Sequence, residues 1–168
     1  AATGGDMTAV RNGLQAAFAQ APDEPRRLRA LWAQNAIGAL DENALFGLLT
    51  HADESVRGWA VRLLVEKTPV APGVVTKLAE QAKAETSPRV RLALTSALQR
   101  IPEADRRPLA EVLASAEIDP ADPMLPLMTW YGIEPLAATD FDRAAALIPT
   151  VKLPMLREFL ARRMVAAD

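Results

Sequence analysis

His51-Ala-Asp-Glu-Ser-Val-Arg-Gly-Trp-Ala-Val-Arg-Leu-Leu64 is the stretch whose reading decides the fold. A polar start at Asp53-Glu54-Ser55 precedes Trp59, Leu63 and Leu64 at helical spacing, which predicts a helix over 54–67 with one apolar face. The apolar–arginine pair inside it, Val56-Arg57, recurs as Leu28-Arg29, Val90-Arg91 and Leu156-Arg157, with Leu127-Met128 as a variant. Successive separations are 28, 34, 37 and 29 residues, the scale of a two-helix unit with variable loops. Large apolar residues return after each pair: Leu31 and Trp32, Leu94 and Leu98, Trp130 and Ile133, then Phe159, Leu160 and Met164. Each set falls on one helical face.

The punctuation between these stretches agrees. Asp23-Glu24-Pro25, Asp41-Glu42, Ser87-Pro88 and Asp122-Pro123 each place a cap or a proline where a helix starts. Helices are therefore expected at about 6–20, 25–39, 42–50, 54–67, 72–84, 88–100, 104–116, 123–136, 140–149 and 153–166. The fold class that follows is all-α, an α-solenoid of about five antiparallel helix pairs forming a single domain over 1–168, with residues 1–5 disordered. Pro108 and Pro126 make 104–126 the least regular part.

Composition narrows the function. Hydrophobic residues are 50% of the chain but aromatics only 5%, a mixture that favours helix. The net charge of -2 gives no global attraction to nucleic acid or an anionic membrane. The absence of cysteine removes disulfides, thiolate metal sites, a cysteine nucleophile and covalent c-type haem attachment. No run approaches the roughly 18 apolar residues of a membrane span, so no direct membrane insertion is expected. The start Ala1-Ala-Thr-Gly-Gly-Asp6 has neither the basic region nor the apolar core of a signal peptide, leaving a cytosolic protein or a piece of an exported one.

Few residues carry chemistry. His51 is the only histidine and precedes the Asp53 turn, where a cap or turn role is expected. The carboxylate pairs Asp140/Asp142 and Asp119/Asp122 sit at expected helix starts, without the apolar pocket that separates the pKa values of an acid and a base. The glycines form no phosphate loop. No catalytic, cofactor-binding or metal residue is assigned, and the chain by itself is not expected to be an enzyme. Arg26-Arg27-Leu28-Arg29, Arg106-Arg107 and Arg162-Arg163 leave a DNA-glycosylase-like or other nucleic-acid-binding helical repeat as the alternative, although acidic neighbours favour solvated ion pairs. Trp130-Tyr131 place their rings about 100° apart on a helix, one towards the core and one towards a partner, so the pair is the candidate interaction surface.

Asp53-Glu-Ser-Val-Arg57, echoed by Thr86-Ser-Pro-Arg-Val-Arg91, resembles the turn and second-helix start of short bacterial HEAT-like repeats. That resemblance implies a structural ladder of Asp53, Arg29, Arg57, Arg91 and Arg157 tying neighbouring units together. More widely, Arg27-Leu-Arg-Ala-Leu-Trp-Ala33, Val56–Leu64, Arg89–Leu94 with Ser96–Arg100, and Leu127–Leu136 resemble one family. It is the HEAT-like region of large Planctomycetes and Verrucomicrobia proteins labelled membrane-bound dehydrogenases or haem-binding proteins. There the helical region lies between a β-propeller of sugar-dehydrogenase type and a c-type cytochrome domain. The resemblance implies a non-catalytic scaffold or protein-interaction module, a spacer without cofactor. Its partners would be the neighbouring domains of an exported, periplasmic parent chain or another protein, and it could offer an electron-transfer docking surface. Neither nucleic acid nor a membrane is an expected partner.

Overall fold

The computed structural model describes residues 7–119, 121–139 and 141–166; the expected disorder of residues 1–5 and the carboxylate of Asp140 lie outside them. Every regular element among the described residues is helical. These are α1 Met7–Ala19, α2 Glu24–Ala36, α3 Glu42–Leu48, α4 Glu54–Leu64, α5 Pro72–Ala84 and α6 Pro88–Ala97. After a 3-10 turn at Glu103–Asp105 come α7 Arg107–Ala114, α8 Leu125–Thr139, α9 Phe141–Leu147 and α10 Pro154–Val165.

The starts are set by local chemistry. Asp23, Asp53 and Ser87 each accept a hydrogen bond from a first-turn amide, and proline opens or nearly opens α2, α5, α6, α7 and α10. The ends are less regular. α2 stops at Ala36 rather than 39 because Gly38, at φ +66°, turns the chain left-handed. Its amide donates to Asn35 and that of Ala39 donates to Gln34, closing the last turn. α8, expected to end at 136, runs on through Pro135 to Thr139. Proline has no N–H to give the Tyr131 carbonyl, and the side-chain amide of Gln99, two residues beyond the end of α6, donates to that oxygen instead at 3.1 Å. A helix-breaking residue is thus accommodated by a neighbour.

The chain forms two compact units, Ala1–Leu48 and Leu49–Asp168. In the first, α1 packs along α2, and Leu28, Leu31 and Leu45 are buried. Trp32, expected beside Leu31 on the inner face, is 40% exposed. In the second, α4 packs on α6, α6 on α8 and α8 on α10, while α5 packs on α7 and α7 on α8. Leu78, Leu94, Leu98, Leu109, Ile133, Leu156 and Leu160 are at most 1% exposed and form its core. Each such leucine stabilises by roughly 1.5–3 kcal/mol.

Two close approaches set the spacing of this unit. Gly58 faces Ala93, whose Cβ is 4.0 Å from where a Gly58 Cβ would stand. The inward face of α4 is Val56, Ala60, Val61 and Leu64. Trp59, expected to be the central core residue, is displaced to the flank and is only half-buried, with the Arg62 guanidinium 5.1 Å from its ring centroid. At Gly132 of α8 the approach to α6 is closer still: an added Cβ would overlap Leu98 Cδ1 and lie 3.3 Å from Leu98 Cβ. Leu98 is fully buried and has nowhere to move. Gly132→Ala is accordingly expected to cost about 1–3 kcal/mol by overpacking. Trp59→Ala should cost less than the roughly 3–5 kcal/mol of a fully buried tryptophan. Urea unfolding of both variants checks this, and a Gly132→Ala protein as stable as the parent would refute the close approach of α6 and α8.

Candidate functional site

Two places in the second unit gather the chemistry-bearing side chains: the junction of α4 with the α5–α6 turn, and the outer face of α8.

At the junction, Arg57 in the first turns of α4 is the organising group. Its Nε and Nη2 donate in a fork to the two carboxylate oxygens of Glu85, each at 2.9 Å, and its Nη1 donates to the His51 and Ala52 carbonyls at 2.8 and 3.1 Å. Glu85 also accepts from the Gln81 side chain and from the Thr86 and Ser87 amides at 2.9–3.1 Å. Burial of this carboxyl works to raise its pKa. The donors of Arg57, Ser87 and Gln81, with the Arg57 charge, outweigh it and pull the value from 4.5 down to about 2. A saturated carboxylate with so little basicity is a strut, far from the pKa of a general base at neutral pH. Alongside it, Ser87 Oγ donates to Glu54 at 2.5 Å while capping the Val90 amide, and Arg89 donates to Ser55 Oγ at 2.9 Å.

The five proposed ladder residues separate on inspection. Arg57 crosses to the next turn as described. Asp53 caps its own helix through the Ser55 amide at 2.9 Å, and its amide donates to His51 Nδ1 at 3.0 Å, so the only histidine is a turn residue. Arg157 donates to the Val151 carbonyl six residues back, as Arg57 does to His51. In α2 the equivalent position belongs to Arg27, which donates to the Ala21 carbonyl at 3.2 Å, while Arg29 is exposed two residues further on. Arg91 is equivalent to Arg57 in α6, but its Nη1 is buried without a hydrogen-bond partner among the described residues. Glu85 and Gln99 were not anticipated, while Ser87 and Glu54 were expected at helix starts but not in contact with each other. One signal pointed to Glu85: it caps the C-terminus of α5, where the helix dipole disfavours an anion, so a compensating cation was required.

On α8 the Trp130-Tyr131 pair divides its roles. Trp130 is half-buried and meets Phe159 of α10 edge-on, with centroids 5.3 Å apart and planes at 65°. Tyr131 is 56% exposed and shares a face of α8 with Leu127, four residues earlier, at 42%; Met124, just before the helix, is 52% exposed. The cleft beside this face, about 410 Å³, is walled by Pro126, Leu127, Leu153 and Met155. Asp122 starts the helix by accepting from the Met124 and Leu125 amides, both at 2.8 Å, and these bonds lower its pKa.

Among the described residues no cluster of three or more metal-binding side chains occurs, and no helix is long and apolar enough to cross a membrane. No family model, curated protein or solved structure matches the chain.

The strut gives two expectations. Because the Glu85 pKa is depressed in the folded state, its stabilisation is present above about pH 4.5 and is lost as pH falls towards about 2. Glu85→Gln should cost about 3 kcal/mol at neutral pH and flatten the fall in stability over that window, as read by urea unfolding at successive pH values. Arg57→Met should cost a similar amount, whereas Arg91→Met, which removes a buried unmet donor, should cost under about 1 kcal/mol. Equal losses at both arginines would refute the distinction.

Proposed function

We propose that this chain is a non-catalytic helical-repeat module in which residues 49–166 stack as HEAT-like pairs and dock neighbouring protein domains through the outer face of α8. The alternating packing of α4, α6, α8 and α10, with α5 on α7 beside them, supports a stack. So does the arginine that reaches back six residues in α2, α4 and α10.

The observation that carries the docking role is the exposed apolar group of Met124, Leu127 and Tyr131. Two large apolar side chains of α8, Leu127 and Tyr131, and Met124 just before the helix are each more than two-fifths exposed, and the helix is backed by Trp130 on Phe159. A rigid exposed tyrosine flanked by aliphatic groups has the character of an interface hot spot. Arginines of the three basic clusters are engaged with acids: Arg26 with Asp23, Arg107 with Glu111, Arg162 with Glu158 and Arg163 with Glu134. Such pairing supports a mixed-sign surface over the basic groove that duplex DNA would require.

The resemblance to the HEAT-like region of the dehydrogenase-linked proteins supplies the partners in this reading: a propeller domain on one side and a cytochrome domain on the other, in an exported protein. The parent reading frame tests the placement directly, since a downstream Cys-x-x-Cys-His and an upstream propeller are expected and the lack of both would remove it. For the docking face, the adjoining domains produced separately should bind this chain, and Tyr131→Ala or Leu127→Glu should weaken binding about tenfold or more with little change in Tm. Unchanged affinity by calorimetric titration would exclude α8 as the docking face.

A further inference from the structure

The second unit contains a gap in its own packing. α5 lies against α7, but α9, the next helix on that side, packs on α8 and α10 and makes at most marginal contact with α7. Between α7 and α9 two clefts open, of about 760 and 360 Å³, and they share Glu111 and Leu147 as walls. They therefore form one trough running along both helices. Its larger part is within the roughly 300–1,000 Å³ of ligand pockets.

Floor and rim differ in chemistry. The floor is apolar, made by Val75 of α5, Ile133 and Ala137 of α8 and Leu160 of α10, with Leu136 half-exposed on the wall. The described ionic side chains lining it are three carboxylates, Glu103, Asp105 and Glu111, against one guanidinium, Arg107, which is already 3.4 Å from Glu111. Glu103 and Asp105 sit on the 3-10 turn at the mouth. An apolar floor in the larger cleft beneath an acidic rim, with Val112, Ala146 and Leu147 beyond it in the smaller one, fits a stretch of chain with apolar groups on one face and cations at its edge.

We infer that the α7–α9 trough takes up an amphipathic helical segment of a partner protein whose apolar face is flanked by lysine or arginine. This rests on the interaction-module reading and adds a second surface to it, separate from the Tyr131 stripe. The segment's leucine-like side chains fill the space over Ile133 and Leu136, and its cations meet Glu103 and Asp105. The ionic part weakens with salt, because the rim is solvent-exposed.

The probe is a fluorescein-labelled peptide of roughly 16 residues, leucines at i, i+3, i+4 and i+7 and lysines elsewhere, with a leucine/glutamate counterpart of the same pattern. Anisotropy titrations use the full chain. The lysine peptide is expected to bind and the glutamate peptide not. Leu136→Arg and the double variant Glu103→Lys/Asp105→Lys should each weaken binding at least about tenfold, and Tyr131→Ala should leave it unchanged. The exposed double variant keeps the test open should Leu136→Arg unfold. No binding, equal binding of both peptides, or a loss on Tyr131→Ala alone overturns the trough assignment. The last result would leave docking on the α8 stripe intact, as would peptide failure while the adjoining domains still bind through Tyr131. Two further results assign the trough to another occupant and also overturn it: dodecyltrimethylammonium displacing the peptide below its micelle threshold, or self-association in sedimentation that Leu136→Arg abolishes.

Discussion

The fork between Arg57 and Glu85 is the constraint on which the rest of the second unit depends. It joins residues 28 apart in sequence, with Glu85 almost wholly buried and Arg57 nearly so. Removing both charges from water is expensive, and the arrangement repays that cost only because every oxygen and every guanidinium nitrogen has a partner. A guanidinium fork has one geometry, so the bond fixes the register of α4 against the α5–α6 turn. Once that register is set, Gly58 meets Ala93 and the core residues of α4 and α6 interlock. Ser87 reinforces it by serving two helices, capping α6 while bonding Glu54 at the start of α4.

The tie is not repeated uniformly, and the irregular part of the molecule follows from that. Arg27 and Arg157 each donate to a carbonyl six residues back, and the buried Nη1 of Arg91 has no hydrogen-bond partner among the described residues. From Arg91 onward the order loosens: a 3-10 turn precedes α7, α7 itself has 8 residues, and α8 carries a proline through its body. The trough opens in this same region.

How much of this could be read from the residues follows from what each depends on. Helix starts were legible because caps and prolines act within four residues, and they were placed within about three positions throughout. Helix ends were less so: the left-handed turn at Gly38 closes α2 early, and α8 runs three residues past the expected 136. The inward face of α4 was misassigned as well. Periodicity ranks Trp59 as core by size, but the buried face of α4 runs through Val56, Ala60, Val61 and Leu64 and leaves the ring on the flank. The pairing of Arg57 with Glu85 was not legible, because an anion at the end of α5 signals that a cation is needed but not which one, 28 residues away, supplies it.

α8 shows why pattern alone could not place the candidate surface. Of its fifteen residues only Glu134 is charged, and that side chain is 2.6 Å from Arg163. An apolar helix of this kind has no polar face to mark its outside, which is the signature of a helix enclosed by neighbours. Its neighbours account for most of its circumference: Gly132 against α6, Trp130 against α10, Ile133 and Ala137 over the trough floor. Met124, Leu127 and Tyr131 are left without a covering element among the described residues of this unit, although their composition is that of a covered face. A helix built as if enclosed on every side, but bare along one stripe, has the composition of an interface, and that mismatch is the physical ground for placing a partner there.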